Sequence, residues 1–341
     1  MVLVAHDADF IGRWTGHLAA GQLTIAGPFG VELFFVLSGF LIGGLLLDIV
    51  ERGPTVENLA VFLCRRWLRT LPLYFIWLAV LFVFRPPATL LAWHLIHYAT
   101  LTQNLLHGMP PGDFFAVSWS LTVEEWFYLL FAAAAVACVA ATRRPWAIWL
   151  PTLLFLTVPM ILRWRVGDSV DMLRGLEEVV VFKLDSIALG VLLAILMRRR
   201  TVPVYLAVVL LAAGSGLIAV VWSGHLEVSG HVFRTIVMFT IAVGWMLCVP
   251  AALCWRACGG LGGDLVRLVS RWSYGLYITH YTVLETVHRY LPMAFAIVVG
   301  VTAPFLLAWL SWRYLEAPIL ARRPRHRWKR AERMGAGSVS V

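Results

Sequence analysis

An all-α, polytopic bundle embedded in a membrane is the fold class this sequence predicts, on three observations. Of 341 residues, 60% are apolar and only 14% charged, with a mean hydropathy of +0.81; a soluble globular domain carries roughly 25% charged residues. The apolar residues form continuous runs long enough to cross a bilayer as helix, without the alternation that marks a transmembrane barrel. The basic residues, 26 of the 28 being arginine, collect between those runs. In a soluble protein the net charge of +9 would point to nucleic acid, but arginines between spans are topology signals, so no nucleic-acid partner is expected.

In chain order, the runs predict nine complete spans at 28–50, 70–84, 118–142, 146–162, 177–197, 203–222, 232–255, 269–288 and 292–315. The apolar run from Met1 to Gly12 is too short to cross roughly 30 Å of hydrocarbon at about 1.5 Å per residue. It also lacks the basic leader of a signal peptide. It is expected to be the outer part of a tenth helix whose start is missing, or else a short interfacial or re-entrant segment. The loop from Arg85 to Val117, broken by Pro86, Pro87, Pro110, Pro111 and Gly112, is expected to hold a re-entrant or interfacial helix.

Orientation follows from the arginines. The segments Arg52–Arg69, Arg143–Arg144, Arg198–Arg200, Arg256–Arg271 and Arg322–Arg333 hold 4, 2, 3, 3 and 7 basic residues and alternate with poorer loops. The rich side should therefore be cytoplasmic, with both termini inside a ten-helix protein of the inner membrane. Residues 1–320 form one transmembrane domain, and 321–341 read as a basic, disordered cytoplasmic tail. Cys64, Cys138, Cys248, Cys254 and Cys258 show no paired spacing, so neither a disulfide framework nor a zinc site is favoured. His94 and His97 lack a third ligand nearby, and no metal is expected.

An ionisable group inside hydrocarbon costs roughly 2.5–3.5 kcal/mol, so each needs a partner or a task. His6, Glu32, Glu124, Glu125, Lys183, Asp185, His280 and Glu316 all fall in or at the ends of apolar runs. Lys183 and Asp185 could pair with each other or with neighbouring helices, and Glu316 with an arginine. His6 and Glu124 fall on the outer halves of their spans, where an imidazole could take a proton from a hydroxyl and a carboxylate could orient it. Arg66 and Arg69, three apart just before the span at Thr70, present two guanidinium groups on one helical face. They suit either phosphate binding or ordinary inner-surface charge.

The segments GPFGVELFFVLSGFLIGGLL (27–46), FLCRRWLRTLPLY (62–74), SWSLTVEEWFYLL (118–130), FKLDSIALGVLLA (182–194), SYGLYITHYTV (273–283) and RYLEAPIL (313–320) follow one another along the chain. In that order and spacing the sequence resembles the integral-membrane acyltransferase-3 family, in its stand-alone form without a fused esterase-like domain. The resemblance implies transfer of an acyl group, most often acetyl, from cytoplasmic acyl-CoA to a hydroxyl of a carbohydrate or other envelope or secreted molecule. No bound cofactor is implied, acyl-CoA being a co-substrate. The family's first-helix histidine corresponds to His6, its arginine pair to Arg66 and Arg69, its second-helix acid to Glu32, and its later Ser and Glu to Ser120 and Glu124. The family also carries a basic residue further upstream of that histidine than the five residues that precede His6 here.

His6 is thus the candidate base, Glu124 or Glu32 its orienting carboxylate, and Ser120 or Trp119 a hydrogen-bond donor to the thioester oxygen, by direct transfer or through an acyl-histidine. Ser38, Tyr74, Asp185 and His280 are further candidates for substrate binding. Two readings from other classes stand beside this one: a transporter or flippase for a lipid-linked sugar or small metabolite, and a non-catalytic membrane subunit. The chain shows no repeat relating its two halves, which many transporters would show.

Overall fold

The computed structural model describes residues 1–15, 26–84, 92–110, 114–224, 230–254 and 261–324, and helices are the regular elements among them. They are α1 (Val2–Thr15), α2 (Ala26–Arg52), α3 (Val56–Phe84), α4 (Ala92–Thr100), α5 (Ser118–Thr142) and α6 (Trp149–Val166). There follow α7 (Leu184–Met197), α8 (Val204–Trp222), α9 (Gly230–Cys254), α10 (Leu261–Tyr290), α11 (Met293–Ser311) and the short α12 (Ala317–Ala321).

Among the described residues, seven helical segments are long and apolar enough to cross a membrane, carried by α2, α3, α5, α6, α8, α9 and α11. The two other expected spans depart from the simple picture for a shared reason, polarity. The run at 177–197 keeps only 14 helical residues, in α7, because a 3-10 turn at Val180–Phe182 and the buried Lys183 precede it. The run at 269–288 lies within the 30-residue α10, which carries Asp264, Arg267, Arg271, His280 and Glu285 along its length. In the loop after α3, the nine-residue α4 is too short to cross. The proline-rich stretch 85–91 and the tail beyond Pro324 lie outside the described residues.

Helix boundaries follow local chemistry. The Thr55 hydroxyl caps α3 by accepting from the Asn58 amide at 3.2 Å, directly after the Gly53-Pro54 break that ends α2. Arg143, at φ 56°, ends α5 in the left-handed region, and its amide donates to the Val139 carbonyl at 2.7 Å. Helix α3 runs unbroken from Val56 and does not start at Thr70, so Arg65, Arg66 and Arg69 sit inside it. At about 1.5 Å per residue they lie roughly 14–20 Å from its first turn.

The centre of the bundle is the α2–α7 contact. A Cβ on Gly39 would stand 1.9 Å from the Ile187 carbonyl oxygen, and one on Gly190 would stand 2.1 Å from that of Val36. Glycine is required at both places because the two backbones touch, the means by which helices gain van der Waals contact where no water drives them together. Phe35, Ile42, Leu46, Phe127, Phe131 and Ile187 fill the adjoining core, while Leu41, Val208 and Val209 face outward on the apolar surface. Arg198, just past α7, binds Asp48 at 2.6 Å and Glu51 at 2.8 Å on α2, and both carboxylates hold its guanidinium above the usual arginine range.

Candidate functional site

A column of polar side chains runs through this apolar bundle, beginning at the arginines of α3. The Arg66 guanidinium lies over the rings of Phe62 and Tyr128, at 5.9 and 5.8 Å. The Tyr128 hydroxyl donates to Glu124 Oε1 at 2.6 Å, one turn back on α5, and lies 2.6 Å from Ser38 Oγ on α2. Glu124 thereby stands within the field of Arg66 and Arg69. Beside it, Thr70 Oγ1 donates to Glu125 Oε1 at 2.5 Å, and the Tyr274 hydroxyl of α10 donates to the Thr70 carbonyl. Glu316, buried near the last turn, accepts from Ser311 at 3.1 Å and also feels Arg69.

Further along α10 the column reaches two histidines. Tyr277 OH and Ser120 Oγ lie 2.5 Å apart. One turn on, His280 Nδ1 lies 2.7 Å from the Tyr277 carbonyl and 3.1 Å from that of Leu276. Both partners are acceptors, so Nδ1 carries the proton and Nε2 is left with its lone pair. That buried Nε2 has no hydrogen-bond partner among the described residues. The His6 ring of α1 lies 5.3 Å from the His280 ring and 5.1 Å, edge-on, from Tyr281. Past this point a cavity of about 700 Å³ opens between α3, α10 and α11, lined by Trp77, Phe114, Thr282, Glu285, Arg289 and Tyr290, among others.

The structure therefore joins His6 to His280, Ser120 to Tyr277, and Ser38 and Glu124 to each other through Tyr128. It gives other candidates structural partners. Lys183 pairs with Glu32 and Arg163 with Asp185, the latter at 2.5 Å, all four side chains being within 1% of complete burial. Both pairs reach neighbouring helices, so Lys183 and Asp185 do not pair with each other. Tyr74 donates to the Tyr98 carbonyl at 2.8 Å and stacks on Phe115. The Trp119 ring packs edge-on against Phe35, and its carbonyl accepts from Asn104. The sequence alone does not single out Tyr128, Tyr277 or Tyr281. The signal was present for the last two, since positions 277, 280 and 281 share one face of a helix.

A polytopic helical bundle enclosing a set of guanidinium, carboxyl, hydroxyl and imidazole groups is the class of protein these observations define. The chain belongs to the acyltransferase-domain family, acyltransferase-3, which it matches over residues 1–313. It is similar to the peptidoglycan O-acetyltransferase OatA of Listeria monocytogenes, with 26% identity over 86% of this chain and 51% of that one. It is also similar to the O-acetyltransferase OatA of Staphylococcus aureus, with 24% identity over 91% of this chain and 55% of the relative. The chain thus spans about half the length of these relatives. No solved structure matches it.

Proposed function

We propose that this protein is a membrane O-acyltransferase that moves an acyl group, most simply acetyl, from cytoplasmic acyl-CoA to a hydroxyl of a carbohydrate on the opposite side. The observation that carries this reading is the succession of two polar clusters one turn apart on α5, Arg66 with Tyr128 and Glu124, then Ser120 with Tyr277, which leads on to His280 and His6. Family membership supports it, as do the names of the relatives, which are O-acetyltransferases.

On this reading the donor's phosphates meet Arg66 and Arg69 at the inner side, and its pantetheine arm enters the column. The acceptor arrives at the histidine end by way of the 700 Å³ cavity further along α10, which combines aromatic walls with Thr282, Glu285 and Arg289 and is not itself lined by His6 or His280. His6 takes the hydroxyl proton as the acceptor oxygen bonds to the thioester carbonyl carbon. The C–S bond then breaks with its electron pair on sulfur, and the imidazolium returns the proton to that thiolate. The hydroxyls of Ser120 and Tyr277, already oriented toward each other, are the donors best placed for negative charge on the carbonyl oxygen.

The test is CoA-thiol release by the purified full chain in lipid nanodiscs, supplied with acetyl-CoA and a glycan acceptor. His6→Ala should lower turnover by roughly 10²- to 10⁴-fold with acetyl-CoA binding retained. Wild-type turnover in that variant would remove His6 from the chemistry.

A further inference from the structure

Arg323 lies in the turn that follows α12, beyond the residues matched to the family. Arg65 Nη1 donates to the Pro324 carbonyl oxygen at 2.8 Å, which ties this turn to α3. The Nε and Nη2 atoms of Arg323 are buried and have no hydrogen-bond partner among the described residues. Burial and the fields of Arg69, Arg65 and Arg66 push its guanidinium down to about 10, an unfavourable setting for a cation. Four guanidinium groups converge here, Arg323 being 254 to 258 residues from the three on α3, and no ion pair with a carboxylate is formed by any of them among the described residues. Of the nearby carboxyl groups, Glu124 accepts from Tyr128, Glu125 from Thr70 and Glu316 from Ser311, and the second oxygens of Glu125 and Glu316 are buried without a hydrogen-bond partner, yet none of the three forms an ion pair with these arginines among the described residues.

A buried cation among like charges is stabilised only by an anion. The anion must have enough charge and enough acceptor oxygens to meet several planar forks at once, which describes phosphate better than a single carboxylate. We propose that Arg323, positioned by the contact between Arg65 and Pro324, binds a phosphate of the acyl-CoA donor together with Arg66 and Arg69, so that the turn after the last helix forms one wall of the donor site. This rests on the donor reading above. A lipid phosphate headgroup offers the same chemistry, and the experiment separates the two.

Binding of acetyl-CoA and of the phosphate-free S-acetyl-pantetheine is measured by calorimetry on the full chain in zwitterionic nanodiscs. Arg323→Ala should weaken acetyl-CoA binding by about tenfold or more, Arg323→Lys by less, and neither should alter binding of S-acetyl-pantetheine. Unchanged acetyl-CoA affinity in Arg323→Ala overturns the proposal. So does an equal loss for both ligands, which would mark a general structural role. Loss of co-purified phosphatidylglycerol with unchanged acetyl-CoA affinity assigns the residue to lipid and also overturns it. If acetyl-CoA binds and responds to Arg66→Lys/Arg69→Lys but not to Arg323→Ala, this inference alone fails. If the wild-type chain does not bind acetyl-CoA, the donor reading fails with it.

Discussion

His6 of α1 and His280 of α10 face each other with ring centroids 5.3 Å apart, and the α10 backbone fixes the protonation of the second by accepting from its Nδ1. Two imidazoles in a protein interior are costly without a shared task. His280→Ala should lower acyl transfer by roughly tenfold or more, less than His6→Ala, because the His280 ring orients His6 or the acceptor and does not take the first proton. Rates for both variants, measured beside acetyl-CoA affinity, test this; a larger loss in His280→Ala than in His6→Ala would exchange the two roles.

Arg66 and Arg69 should need their planar forks as well as their charge. The double change Arg66→Lys/Arg69→Lys is expected to weaken acetyl-CoA binding by roughly tenfold or more with normal membrane insertion, since an ammonium cannot bind phosphate through two parallel hydrogen bonds. Wild-type affinity in the purified double variant would return both residues to the status of topology signals.

The pair of Lys183 and Glu32 is buried at 0% and 1% exposure, and so asymmetric removal should be severe. Lys183→Met leaves an uncompensated carboxylate and should cost roughly 3–5 kcal/mol, whereas Lys183→Met with Glu32→Leu should recover most of the loss. Thermal unfolding in detergent is the measurement. A double variant no more stable than Lys183→Met would show that the ion pair itself, and not the orphaned charge, supports the fold.

Gly190→Ala should disrupt the bundle more than Gly44→Ala does. A Cβ at 190 meets the Val36 carbonyl oxygen and the Phe40 amide nitrogen, at 2.1 and 2.6 Å, and neither can rotate away. A Cβ at Gly44 meets nothing within 4 Å, and Ala is the better helix former there. The folded yield in detergent should fall several-fold for Gly190→Ala alone.

Topology is open to labelling. His107→Cys and Thr201→Cys place thiols at exposed positions on loops assigned to opposite sides. An impermeant reagent added outside intact cells should label the first and spare the second, and the reverse pattern would invert the protein in the membrane.

The amino-acid sequence by itself determined the class and most of the spans, because hydrophobicity and helix length are properties of a segment read along its own chain. The run at 118–142 coincides with α5, and those at 203–222 and 232–255 match α8 and α9 to within a few residues. The motifs around His6, Arg66, Glu124 and His280 were legible for the same reason. Only the tertiary structure decided the partners. Lys183 lies two residues from Asp185, yet each is neutralised by a residue 151 or 22 positions away, because Lys183 precedes α7 while Asp185 lies in its first turn, and the two side chains meet different neighbouring helices. Tyr277 joins Ser120 to the turn that holds His280, and the turn at Pro324 returns to Arg65 across 259 residues. Such contacts depend on which faces meet when helices close. That is set by backbone approaches such as Gly39 on Ile187, a relation between segments that neither segment contains alone.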